Sequence, residues 1–470
     1  MLARGMSRPL RFFLVALAVY GFMWIKAWPR YYDDEELPPS MRAHTGSAMG
    51  PHRVGHDHLV VSIVTTATDV YTKLAPSLVY MFPEDLDPTL LFADLRMNVG
   101  DWPVFDAIYE YSSDLISRTK ELDRYWQLVE YARRKIPLDM ARRQDPKEEA
   151  TIQAALHKYK ILQAMARAWD YRPDRSWYAF INEDTFIDRV NTLDWLAQYN
   201  PTTKWFFGNP PTPGVADGFA VGGNSFILSS AAMNELFSEP FRVVSNWESK
   251  IATYTSAYDV VSAILQAELN LSMTAAWPGI SGGNPGNAPF SPAVWCERVL
   301  MMHHVPHNVQ SDLYLMRKNR TENHIEKPLL FADLWERFMA PEDLPASSEN
   351  WDNLSSDSSN TRWNILFVSD DPNDGHAPGG EASPEACAAS CEQSEYCMQW
   401  SYSTVRVPNW NENGATKCHL SSSLRYGNYA SPIDVIDNDQ ERKTLKWTSG
   451  WRKDVFLTWT RHQRCKDPTH

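Results

Sequence analysis

Directly after the apolar run Trp177-Tyr178-Ala179-Phe180-Ile181 the chain turns polar and acidic at Asn182, Glu183, Asp184 and Thr185. Carboxylates in such a place can hold a hard divalent cation, which in turn neutralises a diphosphate that no carboxylate binds alone. Taken by itself, an Asn-Glu-Asp stretch also reads as a solvated loop or a helix cap. Further on, Met301-Met302-His303-His304-Val305 sets two imidazoles in an apolar run. One of such a pair can ligate a metal while its neighbour points elsewhere, or a histidine there is simply part of the core. Gly222-Gly223 leads into Phe226-Ile227-Leu228, either as a tight turn or as a place where backbone approaches a ligand closely. Asp259 heads the apolar helical pattern Val260 to Leu269, where an acid serves either as a helix cap or as a general base.

Hydrophobic patterning supplies the frame that must position these residues. The run LVVSIVTT from Leu59 has the β-branched composition of a buried strand. Leu90 to Ala93, Trp177 to Ile181 and Phe226 to Leu228 read as further strands. Asp114 to Arg134 and Glu148 to Trp169 carry helical spacing, Tyr71 to Tyr80 fits either a helix or a turn and strand, and Ser229-Ser230 caps a helix starting at Ala231. Strands alternating with helices predict an α/β fold with a mostly parallel sheet covered on both faces. Its carboxyl edge, where ligands of such folds bind, is where Asn182 to Thr185 fall.

The chain is long enough for two or three domains at roughly 150 residues each. Its 43% hydrophobic and 22% charged residues exclude a disordered tail and a multi-span membrane protein. A formal charge of -13 lacks the basic excess that nonspecific nucleic-acid binding needs. The N-terminus predicts a membrane anchor: Phe12 to Ile25 is uncharged, and Lys26 can snorkel to extend the run through Trp28. Arg4, Arg8 and Arg11 precede it and Asp33 to Glu36 follow, which places residues 1–11 in the cytoplasm and the rest in a lumen. The bulky exit from Trp24 to Tyr32 argues against a cleaved signal peptide. Residues 29–57, rich in Pro, Gly, His and acids, read as a stem. A shift to Pro, Ser, Asp and Asn near Pro341 to Asn360 marks the end of a first domain, 58–345, and a linker, 346–362, before a second, 363–470. No internal repeat is evident.

Four of the six cysteines crowd together at Cys387, Cys391, Cys397 and Cys418, with Cys296 and Cys465 outside the cluster. The gaps C-x3-C-x5-C-x20-C fit paired zinc spacings poorly and favour disulfides in an oxidising lumen. Four cysteines allow three pairings. Cys296 and Cys465 join the two domains if their Cα atoms come within about 7 Å. Asn270, Asn319 and Asn353 each begin an N-x-S/T sequon and are candidate glycosylation sites in a lumenal chain.

The order of the motifs carries more than any one of them. Trp177-Tyr178-x-Phe180-Ile181-x-x-Asp184-Thr185, Trp205-Phe206-x-Gly208, Gly222-Gly223-x-x-Phe226-x-Leu228-Ser229, Asp259 and His303-His304 together resemble the Fringe-like glycosyltransferases, a β1,3-transferase group with a GT-A fold. The stretches Leu91-Phe92-Ala93-Asp94 to Asp106-Ala107 and His157 to Leu162 are similar to segments of its fungal members. The resemblance covers about residues 58 to 345. The second domain resembles a PAN/apple module through Glu385 to Cys391, Tyr396 to Tyr402 and Cys418 to Ser421.

The resemblance implies a Rossmann-like GT-A domain followed by a small disulfide-stapled α+β module, behind one transmembrane helix. Asp184 would be the last acid of a D-x-D element whose first acid is Asn182 here, binding Mn²⁺ or Mg²⁺ with the nucleotide diphosphate. His303, with His304 as the fallback, resembles the metal-binding histidine, and Asp259 falls at the catalytic base. Asp94, Asn182, Glu183, Gly222 and Gly223 are implied around the nucleotide sugar. Pairings of Cys387 with Cys418 and Cys391 with Cys397 are implied by the apple-like framework, and such modules bind protein or carbohydrate. The implied activity is inverting, Mn-dependent transfer of a hexose or N-acetylhexosamine from a UDP-sugar to a glycan or glycoprotein hydroxyl, β1,3-linked, by a single-pass type II protein of the Golgi membrane. The alternative is an inactive relative that binds glycans in the lumen, a reading that rests on Asn182.

Overall fold

The computed structural model describes residues 58–86, 88–210, 224–239, 241–325, 327–339, 344–355, 364–365, 380–406, 416–436 and 442–465. The anchor at 12–28, the tail and stem on either side of it, and Gly222 and Gly223 lie outside the described residues. Among the described residues no helix is long and apolar enough to cross a membrane.

The β-branched run that begins at Leu59 forms β1 (Leu59–Val64), every residue of it buried. Around it assemble β2 (Thr89–Ala93), β3 (Met97–Val99), β4 (Trp102–Asp106), β5 (Trp177–Asn182), β6 (Phe186–Ile187), β7 (Phe206–Gly208), β8 (Phe226–Ser229), β9 (Thr274–Ala275), β10 (Ile280–Ser281) and β11 (Met301–Met302). The large sheet runs β3-β4-β2-β1-β5-β8-β7-β9. Its left half, β4-β2-β1-β5, is parallel, which explains why these strands read as continuous apolar runs rather than alternating ones. β3 is antiparallel to β4, and β8 is antiparallel to both β5 and β7, so the sheet is mixed on its flanks.

Because β1, β2, β4 and β5 point the same way, their carboxyl ends bring Thr65, Asp94, Asp106 and Asn182 to one edge. Odd-numbered residues of β1 and β5, such as Val61, Ile63, Ala179 and Ile181, join one core with Val70, Leu74 and Leu193. The 26-residue helix Pro146–Tyr171 packs against β1 and β2 and buries Tyr159, Lys160, Leu162 and Met165 along its length. Asp145 caps it by accepting from Lys147 N, with Pro146 at its first position, where the missing N–H costs nothing. The helical spacing over Asp114 to Arg134 resolves into two helices, Ser113–Arg118 and Asp123–Arg134, and Tyr71 to Tyr80 is helical rather than extended.

The C-terminal part is a second sheet, β12 (Ser347–Glu349), β14 (Asn364–Ile365), β15 (Gln399–Arg406), β16 (Thr416–Ser421), β18 (Ile433–Ile436) and β19 (Arg442–Trp451), with the helix Pro384–Gln393 against it. A two-stranded ribbon, β13 (Trp351–Asp352) with β17 (Asn428–Tyr429), sits beside it. Cys387–Cys418 ties that helix to β16, and Cys391–Cys397 closes its far end. Gly450 on β19 has no substitute, since a Cβ there would meet the Trp400 indole at 2.3 Å.

The interval 346–362 does not act as a linker over its described part. Ser347–Glu349 pairs antiparallel with Thr448–Gly450, making it an edge of the second sheet. The C-terminal part also shares one apolar cluster with the segments that follow the large sheet: Phe290, Trp295, Met302 and Trp335 pack with Leu424, Trp451 and Phe456. Cys296–Cys465, with Cα atoms 5.2 Å apart, closes a third disulfide across the same junction.

Candidate metal centre

The histidine pair and the acid come together through backbone pairing before any side chain is considered. β11 lies antiparallel to β6, with Met302 opposite Phe186, and parallel to β10. Extending the ladder by one bond, Val305 N donates to Asp184 O at 2.8 Å, while His303 N donates to Ser281 O at 3.1 Å. Residues just before β6 and just after β11 are thereby neighbours.

Consecutive residues of a regular strand face opposite sides. Here the chain leaves strand geometry at His304, whose φ of 55° lies in the left-handed region that a non-glycine residue enters at a cost of order 1–3 kcal/mol. The two rings consequently lie 3.8 Å apart, centroid to centroid, and both reach one carboxylate. His303 Nε2 is 3.0 Å from Asp184 Oδ1, and His304 Nδ1 is 3.2 Å from Oδ2. Burial pushes the Asp184 carboxyl up, but the hydrogen bonds and charge of the two imidazoles outweigh it and hold the group well below the usual carboxylate range. His303 is buried, whereas His304 is 59% exposed and forms the open side.

One carboxylate oxygen and two imidazole nitrogens within 4.8 Å of one another are a donor set for a divalent cation. The partial exposure of Asp184 and His304 leaves room on that cation for oxygens of a ligand. The residues present therefore fit the metal that the resemblance implies.

Asn182, which stands where a first acid would, faces this cluster: its Nδ2 is 3.2 Å from His303 Nε2. The Tyr258 hydroxyl bonds Asn182 in turn, and His157 Nε2 lies 3.2 Å from that hydroxyl. Burial, with the nearby Lys160 charge, pushes the His157 imidazole down to about 3, so it meets Tyr258 uncharged. Burial and the Asp184 and Glu183 charges push the Tyr258 phenol well up, keeping it a neutral hydroxyl. A line of neutral hydrogen-bonding groups thus runs from the long helix to the amide beside the metal-facing nitrogen.

Glu183 is separated from this group by strand alternation. It follows Ile181 to the other side of the sheet and lines a cavity of about 50 Å³ with Ile63, Asp85, Arg189 and Tyr314. Burial and the charge of Asp184 push its carboxyl up to about 7, against the Lys73 ammonium 3.8 Å away. Glu183 thus borders this cavity rather than joining the Asp184–His303–His304 cluster.

Asp94 ends β2 and is buried. Its Oδ1 accepts from Ala67 N at 2.5 Å, and its Oδ2 lies 3.8 Å from Lys160 Nζ, which also donates to Thr65 O at 2.6 Å. Asp94 therefore ties together the loops leaving β1 and β2.

Asp259 is not the helix cap. Ser256 caps the helix Ala257–Leu269, and Asp259, three residues in, completes a capping box in which its Oδ2 accepts from Ser256 N at 3.0 Å and from Thr255 Oγ1 at 2.5 Å. The box places its carboxylate one residue after Tyr258, at the helix end that abuts Asn182. Asn353 is also corrected as a glycosylation site. It is fully buried, and its Nδ2 donates to Trp400 O and Gly450 O at 3.0 and 3.2 Å, leaving no nitrogen for a sugar. Asn270 and Asn319 are exposed.

Tyr258, His157 and Lys160 were not singled out from the sequence as site residues. The available signal was His157 and Lys160 three apart on a helix whose neighbours Tyr159, Ile161 and Leu162 are apolar, since polar groups on a buried face need partners. No family model matches the chain.

Proposed function

We propose that this chain is an inverting glycosyltransferase of the Fringe-like, GT-A type, joined to an apple-like module and moving a hexose or N-acetylhexosamine from a UDP-sugar to a glycan or glycoprotein hydroxyl, in a Golgi type II setting. The observation that carries the reading is the convergence of Asp184, His303 and His304 at the carboxyl edge of the parallel strands, the edge at which open α/β sheets bind nucleotides.

Asp184, His303 and His304 would hold the cation. A bound Mn²⁺ or Mg²⁺ supplies positive charge for the diphosphate leaving group. Asn182 lies beside His303 Nε2 and, with one charge fewer than an acid, leaves the site less negative toward an anionic ligand. Asp259 takes the acceptor hydroxyl proton, and the hydroxyl oxygen attacks the anomeric carbon from the face opposite the nucleotide, which inverts that centre. One such displacement needs no second carboxylic acid, unlike hydrolysis at a glycosidic bond. Asp94 and Lys160 support the loops at the nucleotide edge.

The test is release of UDP from UDP-galactose, UDP-glucose, UDP-N-acetylglucosamine and UDP-N-acetylgalactosamine, with and without Mn²⁺. Cation-dependent turnover of one donor supports the reading. Silence with all four, beside intact glycan binding, would favour the lumenal glycan-binding alternative.

A further inference from the structure

We infer that the ribbon β13–β17 is a platform for the acceptor glycan at the rim of the Asp184–His303–His304 centre, taking pyranose faces against Trp351, Tyr426 and Tyr429; the inference rests on the transferase reading above.

Trp351 stands directly opposite Tyr429 across the ribbon, and opposed residues of an antiparallel pair present their side chains to the same face. Tyr429 is 67% exposed and Tyr426 36%. The Tyr426 ring stands edge-on to the Trp351 indole, 5.0 Å away at 86°. Trp351 is half-buried, packs against the shared apolar cluster and donates from Nε1 to Tyr426 O at 2.6 Å, so the indole is fixed in place. Gly427, at φ 79°, makes the turn between the two tyrosines, and a Cβ there would strike Asp352 O at 2.1 Å. Tyr429 is thus exposed beside a Tyr426 ring that rests on Trp351 and Trp451, which are themselves anchored in the core.

Exposed clusters of large aromatic rings mark binding surfaces. Tyrosine and tryptophan present an apolar face with a polar handle, which matches a sugar ring, apolar across its C–H face and polar around its edge.

Three hydrogen bonds place this platform at the metal centre. Tyr426 N donates to Gly286 O at 2.8 Å. Gly286 N donates to Asn284 Oδ1 at 3.0 Å, and Asn284 Nδ2 donates to His304 O at 3.3 Å. The Asn284–Gly286 loop thereby bonds the His304 backbone on one side and the Tyr426 backbone on the other. A glycan lying on the ribbon extends toward the exposed side of the cluster, where an acceptor hydroxyl is needed.

The experiment passes the full chain, with UDP and Mn²⁺, over immobilised oligosaccharides ending in galactose, glucose, mannose or N-acetylglucosamine. Binding to a subset is expected, with Tyr426→Ala and Tyr429→Ala each weakening it by about tenfold, Tyr429→Phe retaining it, and UDP–Mn²⁺ affinity unchanged. Glycan binding within about twofold of the parent in the Tyr426→Ala/Tyr429→Ala double variant would overturn the platform. So would the absence of any bound oligosaccharide from a chain that does bind UDP and Mn²⁺, an outcome that would point to a protein surface instead. Failure of the parent to bind UDP and Mn²⁺ overturns the transferase reading, and the glycan measurement then still decides the ribbon separately.

Discussion

Val305 donates its backbone N–H to the carbonyl oxygen of Asp184 at 2.8 Å, and this bond fixes where the two histidines fall. Two short strands, β6 and β11, with two residues each, do the positioning, and the left-handed backbone at His304 turns the second ring onto the same carboxylate.

If both imidazoles serve the cation, His303→Ala and His304→Ala each lower Mn²⁺ affinity by about tenfold or more. Calorimetric titration of the two variants checks this. Loss confined to His303→Ala would show that His304 only covers the site.

Asp259 has two duties that a single substitution separates. Asp259→Asn keeps an oxygen for the Ser256 N–H, so the helix loses at most about 1 kcal/mol. Turnover falls by roughly 10²–10⁴, the usual contribution of a general base. Asp259→Ala adds the full loss of the cap. Steady-state rates beside thermal melts distinguish the duties; unchanged turnover in Asp259→Asn would leave the residue as a cap alone.

Glycans are expected at Asn270 and Asn319 and not at Asn353. Peptide mapping after glycosidase treatment of the chain from a secretory host reads this directly. Asn353→Ala, which removes a second donor from the ladder carbonyls of Trp400 and Gly450 and leaves the buried Ser355 N–H without its acceptor, destabilises the chain by about 1–3 kcal/mol.

Stability has a pH signature at a buried pair that joins the first turn of the long helix to the helix Asp123–Arg134. Arg124 Nη1 and Nη2 grip Glu149 at 2.9 and 3.0 Å. Burial alone would push the Glu149 carboxyl up, but Arg124 and the Arg143 N–H hold it below its ordinary value. A carboxyl lowered in the folded state contributes stability above its unfolded pKa, and that contribution is lost as pH falls through the folded value. The melting temperature of Glu149→Gln should therefore lie below that of the parent at pH 7, with the gap narrowing once pH drops below the ordinary glutamate value. A gap that stays constant from pH 7 into the acid range would contradict the assignment.

The parallel half of the sheet was legible because its strands are buried on both faces and read as unbroken apolar runs, as at Leu59 and Trp177. β3, β6 and β9 to β11 were not: two or three residues carry no periodicity, and the pairing of β6 with β11 joins residues more than a hundred positions apart, Phe186 and Met302. The same limit hid the site's outer shell. Asp184, His303 and His304 announced themselves by residue type, whereas Tyr258 looks like an ordinary aromatic at a helix start until Asn182 and His157 are placed around it. The shift in composition at Pro341 suggested a spacer, because an edge strand such as Ser347–Glu349 is short and polar by nature.

The central claim is that Asp184, His303 and His304 hold a divalent cation for a nucleotide diphosphate. Titration of UDP into the full chain with Mn²⁺ and with chelator, for the parent and for Asp184→Asn, tests it most directly. The account predicts heat of binding only in the parent with Mn²⁺. UDP binding of equal strength without the cation, or in Asp184→Asn, would contradict it.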